Sequence, residues 1–198
     1  MKLYYSPGAC SLSPHIAAAE AGIALELERV DLKTHTTETG QDYYAINPKG
    51  YVPALVLDDG ALLTEGPAIV QYLADLKPQS GLLAPVGDFK RYKTVEWLTF
   101  TNGEIHKSFS PLFGKATDEV KDAAKEKIVK RFATVSGALG DQDYLTGSTF
   151  TVADGYLFVM LRWARKMGIA APENLDRLFD RISARPRVKA ALQEEGLN

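Results

Sequence analysis

The sequence predicts two domains: a small α/β domain with a mixed sheet, followed by an all-helical domain. In the first part, strand and helix signals follow the order strand, helix, three strands, helix, which indicates a sheet covered by helices. A stretch of linker composition, Lys77–Gly81, comes next. After it the hydrophobic periodicity is almost entirely helical. We therefore predict a first domain at 1–78, a linker at 79–87 and a helical domain at 88–198.

Each element of the first domain has a local sequence signal. The second strand alternates apolar and polar residues, as a half-buried strand does. Gly22 ends the first helix, Asp59-Gly60 is a hairpin turn signal, and Pro67 opens the last helix. The predicted elements, in order, are strand 2–5, helix 13–21, strand 25–30, a polar loop at 34–40, a helical turn at 43–46, strands 52–57 and 61–63, and helix 67–76.

The second domain is predicted from helical periodicity alone. Thr151 and Asp154 resemble a capping box, with a threonine cap and an acid three residues later, so we assign them a structural role at a helix start. The predicted helices are 88–112, 118–139, 152–167 and 175–184.

Composition excludes several classes of protein. With 198 residues, 45% of them hydrophobic, and a net charge of −2, the chain has no electrostatic footprint for nucleic acid or an anionic membrane. Residues 1–5 do not have the pattern of a signal peptide, and no apolar run is long enough to span a bilayer. Three histidines and one cysteine form no recognisable metal cluster. We therefore expect a cytoplasmic protein with no metal, nucleic-acid partner or membrane partner.

Cys10 is the only cysteine and follows Ser6-Pro7-Gly8-Ala9, directly after the first strand. We predict that it lies in the first turn of the following helix, where backbone N–H groups and the helix dipole favour a thiolate. Ser13 stands where a redox Cys-x-x-Cys motif has its second cysteine, so any disulfide needs a thiol from outside. The alternative is a small buried hydrophobic residue without chemistry.

Two further motifs of the first domain are suited to binding a short peptide. A cis Val52–Pro53 bond would turn the backbone of Val52 outward as an added-strand site, although an edge-strand proline explains the same dipeptide. Glu65 and Gly66 stand at a helix start, where the carboxylate suits an amine and the backbone N–H suits a carboxylate. Ordinary helix capping is the alternative for this pair.

In the second domain, residues of three chemical kinds share one predicted helical stripe. They are Thr99, Gly103, His106 and Lys107. The stripe therefore contains a small residue beside which a ligand has room, a histidine and a cation. A histidine on a helix is also common as a surface or satisfied core residue, and the same holds for His15 and His35. Neighbouring Phe109 belongs to the core face of this helix.

Taken together and in order, these motifs resemble the cytosolic glutathione transferases, and the bacterial beta class most closely. The resemblance rests on 4–13, 47–55, 63–73, Glu104–Lys107 and the C-terminal stretches 185–188 and 195–197, so it covers the whole chain. It implies a thioredoxin-like first domain, a helical-bundle second domain, and a homodimer that uses glutathione as co-substrate without a prosthetic group. The implied activity is the conjugation of glutathione to small hydrophobic electrophiles.

The resemblance also assigns roles to residues. Cys10 would lie beside the glutathione sulfur, and Val52, before Pro53, would pair with the cysteinyl backbone. Glu65 and Gly66 would hold the γ-glutamyl end. The remaining glutathione contacts would be His35, Thr99, Gly103, Glu104 and His106, with Glu104 reaching glutathione from the partner subunit. Cys10 and His106 would be the catalytic residues, and Lys107 would stand at the electrophile site. Phe109, Phe113 and Trp163 are further candidates for the electrophile site, with core packing as the alternative for each.

Two residues depart from the beta-class pattern, and the chemistry keeps alternatives open. A lysine is usual at His35 and an asparagine at Thr99, so both contacts differ from those of the class. We expect His106 and Lys107 to polarise a leaving group or to stabilise developing negative charge. Thiol–disulfide exchange, peroxide reduction or reductive dehalogenation through a Cys10–glutathione disulfide is a second hypothesis. A non-enzymatic interaction protein that has kept the fold and lost the ligand is the third.

Overall fold

In the computed structural model, which describes residues 1–197, strand β1 (Lys2–Tyr5) is central in a five-stranded mixed sheet. It pairs in parallel with β2 (Glu26–Asp31) and antiparallel with β4 (Ala54–Val56). The edges are β3 (Thr36–Thr37) beside β2 and β5 (Leu62–Thr64) beside β4, both antiparallel. The sequence predicted a loop at β3, because a two-residue strand is too short to show a periodic pattern.

Three helices follow these strands. Helix α1 (Leu12–Ala21) ends at Gly22, whose positive φ of 69° suits glycine. The single turn α2 (Tyr43–Ile46) is capped by Asp42, and α3 (Gly66–Leu76) has a proline in its first turn. A 3₁₀ turn at Pro78–Ser80 comes after α3.

The C-terminal helix belongs to the same unit as the sheet. The chain divides into one unit of Met1–Leu83 with the described residues from Ala184 on, and a second unit of Ala84–Ser183. The sequence placed everything from 88 onward in the helical domain and predicted no helix after 184. In the structure α9 (Pro186–Glu194) packs against α1, and Arg185 holds the carboxylate of Glu20 through two hydrogen bonds of 2.7 Å.

The second unit is helical, and its central helix is buried along nearly its whole length. That helix is α7 (Val152–Lys166). It packs against α4 (Phe89–Phe100) and α8 (Glu173–Ser183), and the unit also contains α5 (Ser110–Phe113) and α6 (Asp118–Leu139). The mixed sheet and this helical unit agree with the predicted fold class. Within residues 1–197, no helix combines the length and the apolar character needed to cross a membrane.

The predicted helix 88–112 is not one α-helix. After α4 the chain forms a π-helical turn (Thr101–Ile105), then a 3₁₀ turn (His106–Phe109), before α5 begins. Two residues weaken a regular helix here, because Gly103 is a poor helix former and Pro111 provides no N–H. Single π turns inside helices are frequent at functional sites.

The start of α7 contains the predicted cap. Asp154, fully buried, accepts hydrogen bonds of 2.8 Å from the backbone N–H groups of Leu145 and Thr151 and from the Thr151 hydroxyl. Burial raises the pKa of the Asp154 carboxyl to about 6, although these donors act in the opposite direction. The carboxyl therefore joins the loop before α7 to the first turn of the helix.

Candidate functional site

The sheet topology brings the candidate residues of the first unit to one end of the sheet. In the antiparallel registers, Ala54 at the start of β4 pairs with Tyr4 near the end of β1 and with Thr64 at the end of β5. Strand β2 runs parallel to β1, so its end lies on the same side. Ligands of open α/β sheets bind beyond such strand ends. The segments that meet there contain Cys10, His35, Val52, Pro53, Glu65 and Gly66.

Cys10 lies in the turn just ahead of α1, rather than in its first turn as the sequence predicted. The first N–H groups of α1 are taken by this turn, because Leu12 and Ser13 donate to the carbonyls of Ala9 and Cys10. The Cys10 thiol, half-buried, donates instead to the carbonyl oxygen of Val52 at 3.2 Å. Two residues that the sequence placed in separate motifs are thus in direct contact.

The segment before β4 is fixed by side chains that the sequence analysis did not select. The Val52–Pro53 peptide bond is cis. The carbonyl of Tyr51 accepts hydrogen bonds from the Tyr43 hydroxyl at 2.8 Å and from the Asn47 amide at 2.7 Å. Burial raises the pKa of Tyr43 to about 12, so this hydroxyl keeps its proton and remains a donor.

Glu65 has a backbone conformation that is rare for a residue with a side chain. Its φ is 73° and its ψ 116°, and such conformations persist mainly at functional sites. Its side chain is exposed and paired with Lys49 at 2.9 Å. The chain enters α3 directly after it, so the N–H of Gly66 is among the first helical N–H groups, which have no intrahelical acceptor. A carboxylate and an N–H donor therefore stand side by side.

His35 lies in a tightly packed corner. Its ring packs against Tyr44 with centroids 4.4 Å apart, and its φ is 53°. A Cβ on Gly50 would come within 3.2 Å of the His35 ring and 2.6 Å of Tyr44, so only glycine fits there. The buried Nδ1 of His35 has no hydrogen-bond partner among the described residues 1–197. A ligand carboxylate is one group that would satisfy it.

A buried cluster that the sequence analysis did not predict supports the Cys10 turn from below. Glu195, whose side chain is fully buried, accepts hydrogen bonds from the N–H of Gly8 at 2.8 Å and from His15 Nδ1 at 3.0 Å. His15 Nε2 contacts Glu194 at 2.7 Å. Desolvation lowers the pKa of His15, but the hydrogen bonds to Glu195 and Glu194 outweigh it, and the pKa is raised. With an acceptor at each ring nitrogen, His15 is an imidazolium.

In the second unit, four predicted residues form one aromatic cluster around Trp163. Its ring makes edge contacts with His106, Phe109 and Phe113 at centroid distances of 5.1, 5.5 and 4.8 Å. Phe109 is fully buried and Phe113 is 59% exposed, so the cluster extends from the core to the surface. Lys107, which follows His106 in the sequence, is exposed.

The other predicted residues of this unit have local roles. Thr99 donates its hydroxyl to the Val95 carbonyl at 2.8 Å, within its own helix. Glu104 forms an ion pair of 2.7 Å with Arg131 of α6. A Cβ on Gly103 would meet no heavy atom within 4 Å, so the space beside this π turn is open.

Family models and solved structures identify this arrangement. The model for the N-terminal domain of glutathione S-transferases matches residues 8–76, and the model for the C-terminal domain matches residues 100–186. The chain belongs to the glutathione S-transferase family. Glutathione S-transferase GstA of Escherichia coli O157:H7 is 49% identical over 200 residues that cover all of both chains.

Two solved structures refine the assignment. The bacterial beta class glutathione S-transferase of Sphingomonas chungbukensis is 47% identical, with a TM-score of 0.96 over all of both chains. A sphingomonad glutathione S-transferase complexed with glutathione is 46% identical, with the same TM-score and complete coverage. The predicted membership of the beta class is confirmed, and so is the fold class, a thioredoxin-like domain with a helical domain.

Proposed function

We propose that this protein conjugates reduced glutathione to small hydrophobic electrophiles. The observation that carries the proposal is the 3.2 Å contact between the Cys10 thiol and the Val52 carbonyl, at the sheet end where Glu65 and Gly66 also lie. A thiol beside the backbone carbonyl that precedes β4, together with a carboxylate and an N–H donor at the same sheet end, matches the groups of a γ-glutamyl-cysteinyl peptide. The relative solved with glutathione supports this ligand.

Docking of glutathione would use the backbone of Val52 first. The cysteinyl N–H of the tripeptide donates to the Val52 carbonyl and so replaces the Cys10 thiol as its donor. The α-amino group then pairs with Glu65, in competition with Lys49, and the α-carboxylate binds the N–H of Gly66. His35, with its buried Nδ1, is the proposed contact for the glycine carboxylate.

In the reaction the glutathione thiol loses its proton and the sulfur attacks the electrophilic carbon. An S–C bond forms, and a leaving group such as chloride departs with its electron pair. We assign the electrophile to the aromatic cluster around Trp163, with exposed Phe113 and Lys107 at its surface and Gly103 leaving room. Thr99, Glu104 and His106 are the proposed polar contacts of glutathione in the second unit. Conjugation of glutathione to 1-chloro-2,4-dinitrobenzene tests this activity, and an absence of catalysis would contradict it.

A second function is favoured by the position of the single cysteine. In this hypothesis Cys10 attacks oxidised glutathione, forms a mixed disulfide and releases one molecule of glutathione thiolate. We expect exposure to oxidised glutathione to add one glutathionyl group to the protein, removable by a reductant. Intact-protein mass spectrometry measures the adduct.

Cys10→Ser is the matched control for this experiment, because serine keeps a donor for the Val52 carbonyl but forms no disulfide. The serine variant should show no adduct. If it also keeps its conjugating activity, Cys10 serves the disulfide chemistry and glutathione supplies the nucleophile for conjugation. The absence of an adduct on the native chain would eliminate the second function.

Glu65→Gln is expected to raise the KM for glutathione about tenfold with little change in kcat, because a charge-assisted hydrogen bond contributes about 1.5–3 kcal/mol. Steady-state kinetics at varied glutathione concentration measure this. Glu26→Gln is the control, since Glu26 is also exposed but pairs with Lys2 at the opposite end of the sheet. Equal KM values for the two variants would remove Glu65 from the binding site.

The family resemblance also supports a cytoplasmic homodimer that acts in detoxification and has no prosthetic group. Two large aromatic side chains lie one turn apart on α4 and are exposed, Phe89 at 73% and Tyr92 at 56%, and a dimer contact on this face would cover them. Light scattering should give twice the chain mass of 21.7 kDa.

A further inference from the structure

His106 is attached to a short chain of hydrogen bonds inside the second unit. Its Nδ1 lies 2.7 Å from the hydroxyl oxygen of Tyr156, and that hydroxyl donates to Oδ1 of Asn102 at 2.9 Å. Tyr156 comes from the buried helix α7 and is 2% exposed, whereas Asn102 lies in the π-helical turn. The contact joins residues 50 positions apart in the chain.

The direction of this chain follows from a count of protons. A phenol has a single O–H proton, and the Tyr156 hydroxyl gives it to Oδ1 of Asn102, an atom that is only an acceptor. Towards His106 the hydroxyl therefore presents a lone pair, and the proton in the 2.7 Å contact must belong to Nδ1. In a neutral imidazole the other nitrogen, Nε2, then has the lone pair.

We propose that Tyr156 and Asn102 hold neutral His106 in its Nδ1–H tautomer, so that His106 reacts through Nε2 as an acceptor. The His106 ring makes edge contacts with Tyr156 and Trp163, at interplanar angles of 82° and 74°. These contacts hold the plane of the imidazole and oppose the ring flip that would exchange its two nitrogens. Tyr156 and Asn102 are thus positioning residues for a catalytic histidine. The functional consequence rests on the proposed conjugation of glutathione.

The tautomer decides what His106 can do. A histidine whose reactive nitrogen is an acceptor does not donate a hydrogen bond to a leaving group, the role expected from the sequence. We propose instead that His106 accepts the proton of the glutathione thiol. The S–H bond of glutathione breaks, an Nε2–H bond forms on His106, and a glutathione thiolate and an imidazolium result. The imidazolium still donates its Nδ1–H to Tyr156. The Asn102 amide oxygen does not take up a proton. The hydrogen bonds from His106 through Tyr156 to Asn102 therefore orient the imidazole and do not carry its proton away.

The first test is nitrogen-15 NMR of the native protein at about pH 8.5, where an ordinary histidine is neutral. The chain has three histidines, and the signals that disappear in His106→Gln belong to His106. We expect a protonated Nδ1 and an unprotonated Nε2. Observation of the opposite tautomer in the native protein would overturn the proposal, whatever the activity of the enzyme.

Variants of Asn102 test the cause. In Asn102→Ala the Tyr156 proton has lost its acceptor and is available to Nδ1, so we expect the tautomer to reverse. Asn102→Asp keeps an acceptor oxygen and should restore the native tautomer. Tyr144→Phe is the control, since this hydroxyl belongs to a buried ring that contacts Phe150 instead. If His106 kept its native tautomer in Asn102→Ala, the hydrogen bonds through Tyr156 to Asn102 would not be what fixes that tautomer, and the proposal would be overturned.

Kinetics separate positioning from binding. Because general base catalysis contributes about 10²–10⁴-fold, we expect Asn102→Ala to lower kcat at least tenfold with the KM for glutathione unchanged, and Asn102→Asp to recover most of it. An unchanged kcat despite a reversed tautomer would overturn the assignment of His106 as proton acceptor. The NMR measurement needs no substrate, so an inactive native protein would refute the proposed function and leave the tautomer assignment standing.

Discussion

Replacement of Asp154 by alanine is expected to lower the free energy of unfolding by about 3–5 kcal/mol. The carboxylate is fully buried and accepts the N–H groups of Leu145 and Thr151, at 2.8 Å each. Alanine leaves both donors without an acceptor in the protein interior, and each such loss costs about 1–3 kcal/mol. The same change removes the cap of α7, the central helix of its unit. Urea denaturation followed by circular dichroism measures the loss.

Two matched variants separate the parts of this effect. Thr151→Ala removes only the hydroxyl that donates to Asp154, and we expect a loss of about 1 kcal/mol. Asp154→Asn keeps one acceptor oxygen and should recover part of the stability. Burial already raises the pKa of Asp154 to about 6, so the negative charge is not the source of stabilisation. A loss in Asp154→Ala no larger than in Thr151→Ala would contradict this account.

The sequence predicts the elements whose signals are local. The alternation in β2, the Asp59-Gly60 turn and the cap at Thr151 all depend on residues within a few positions of each other, and the structure forms an element at each. Helix α9 escapes prediction because its stability is not local. It is nine residues long, and only Val188 and Ala191 are buried. The residues that flank it, Arg185 and Glu195, form ion pairs with Glu20 and His15, which are more than 160 positions away in the sequence.

The candidate site shows the same division. Motif spacing predicts Cys10, Val52 and Glu65 separately, but their juxtaposition follows from the registers of β1, β4 and β5. The contact of His106 with Tyr156 joins two helices 50 positions apart, and no periodicity reports it. The change of helical winding at Thr101 was also missed, because a π turn has the same apolar pattern as the α-helix around it. Contacts between residues that are distant in the sequence are therefore the part of the site that local sequence patterns do not predict.

Glu195→Gln is expected to lower the free energy of unfolding by about 3 kcal/mol at about pH 6, because it removes the buried one of the two carboxylates that face His15, and the exposed Glu194 alone compensates the buried imidazolium less well. Glu195 has no exposed side-chain surface and binds both His15 and the N–H of Gly8. The variant therefore also loosens the turn that precedes Cys10. Urea denaturation gives the stability, and the rate of the Cys10–glutathione adduct reports on the turn.

Glu194→Gln is the matched control, because Glu194 contacts the same imidazole but is 59% exposed, and we expect it to lose less than 1 kcal/mol. The pH dependence has a definite sign. The pKa of folded His15 is raised above its usual 6.5, so the stabilisation is complete below about 6.5 and is lost as the pH rises through the folded value. The difference between the native chain and Glu195→Gln should therefore shrink as the pH rises above about 6.5. A constant difference, or equal losses in the two variants, would show that the imidazolium does not hold the C-terminal helix to α1.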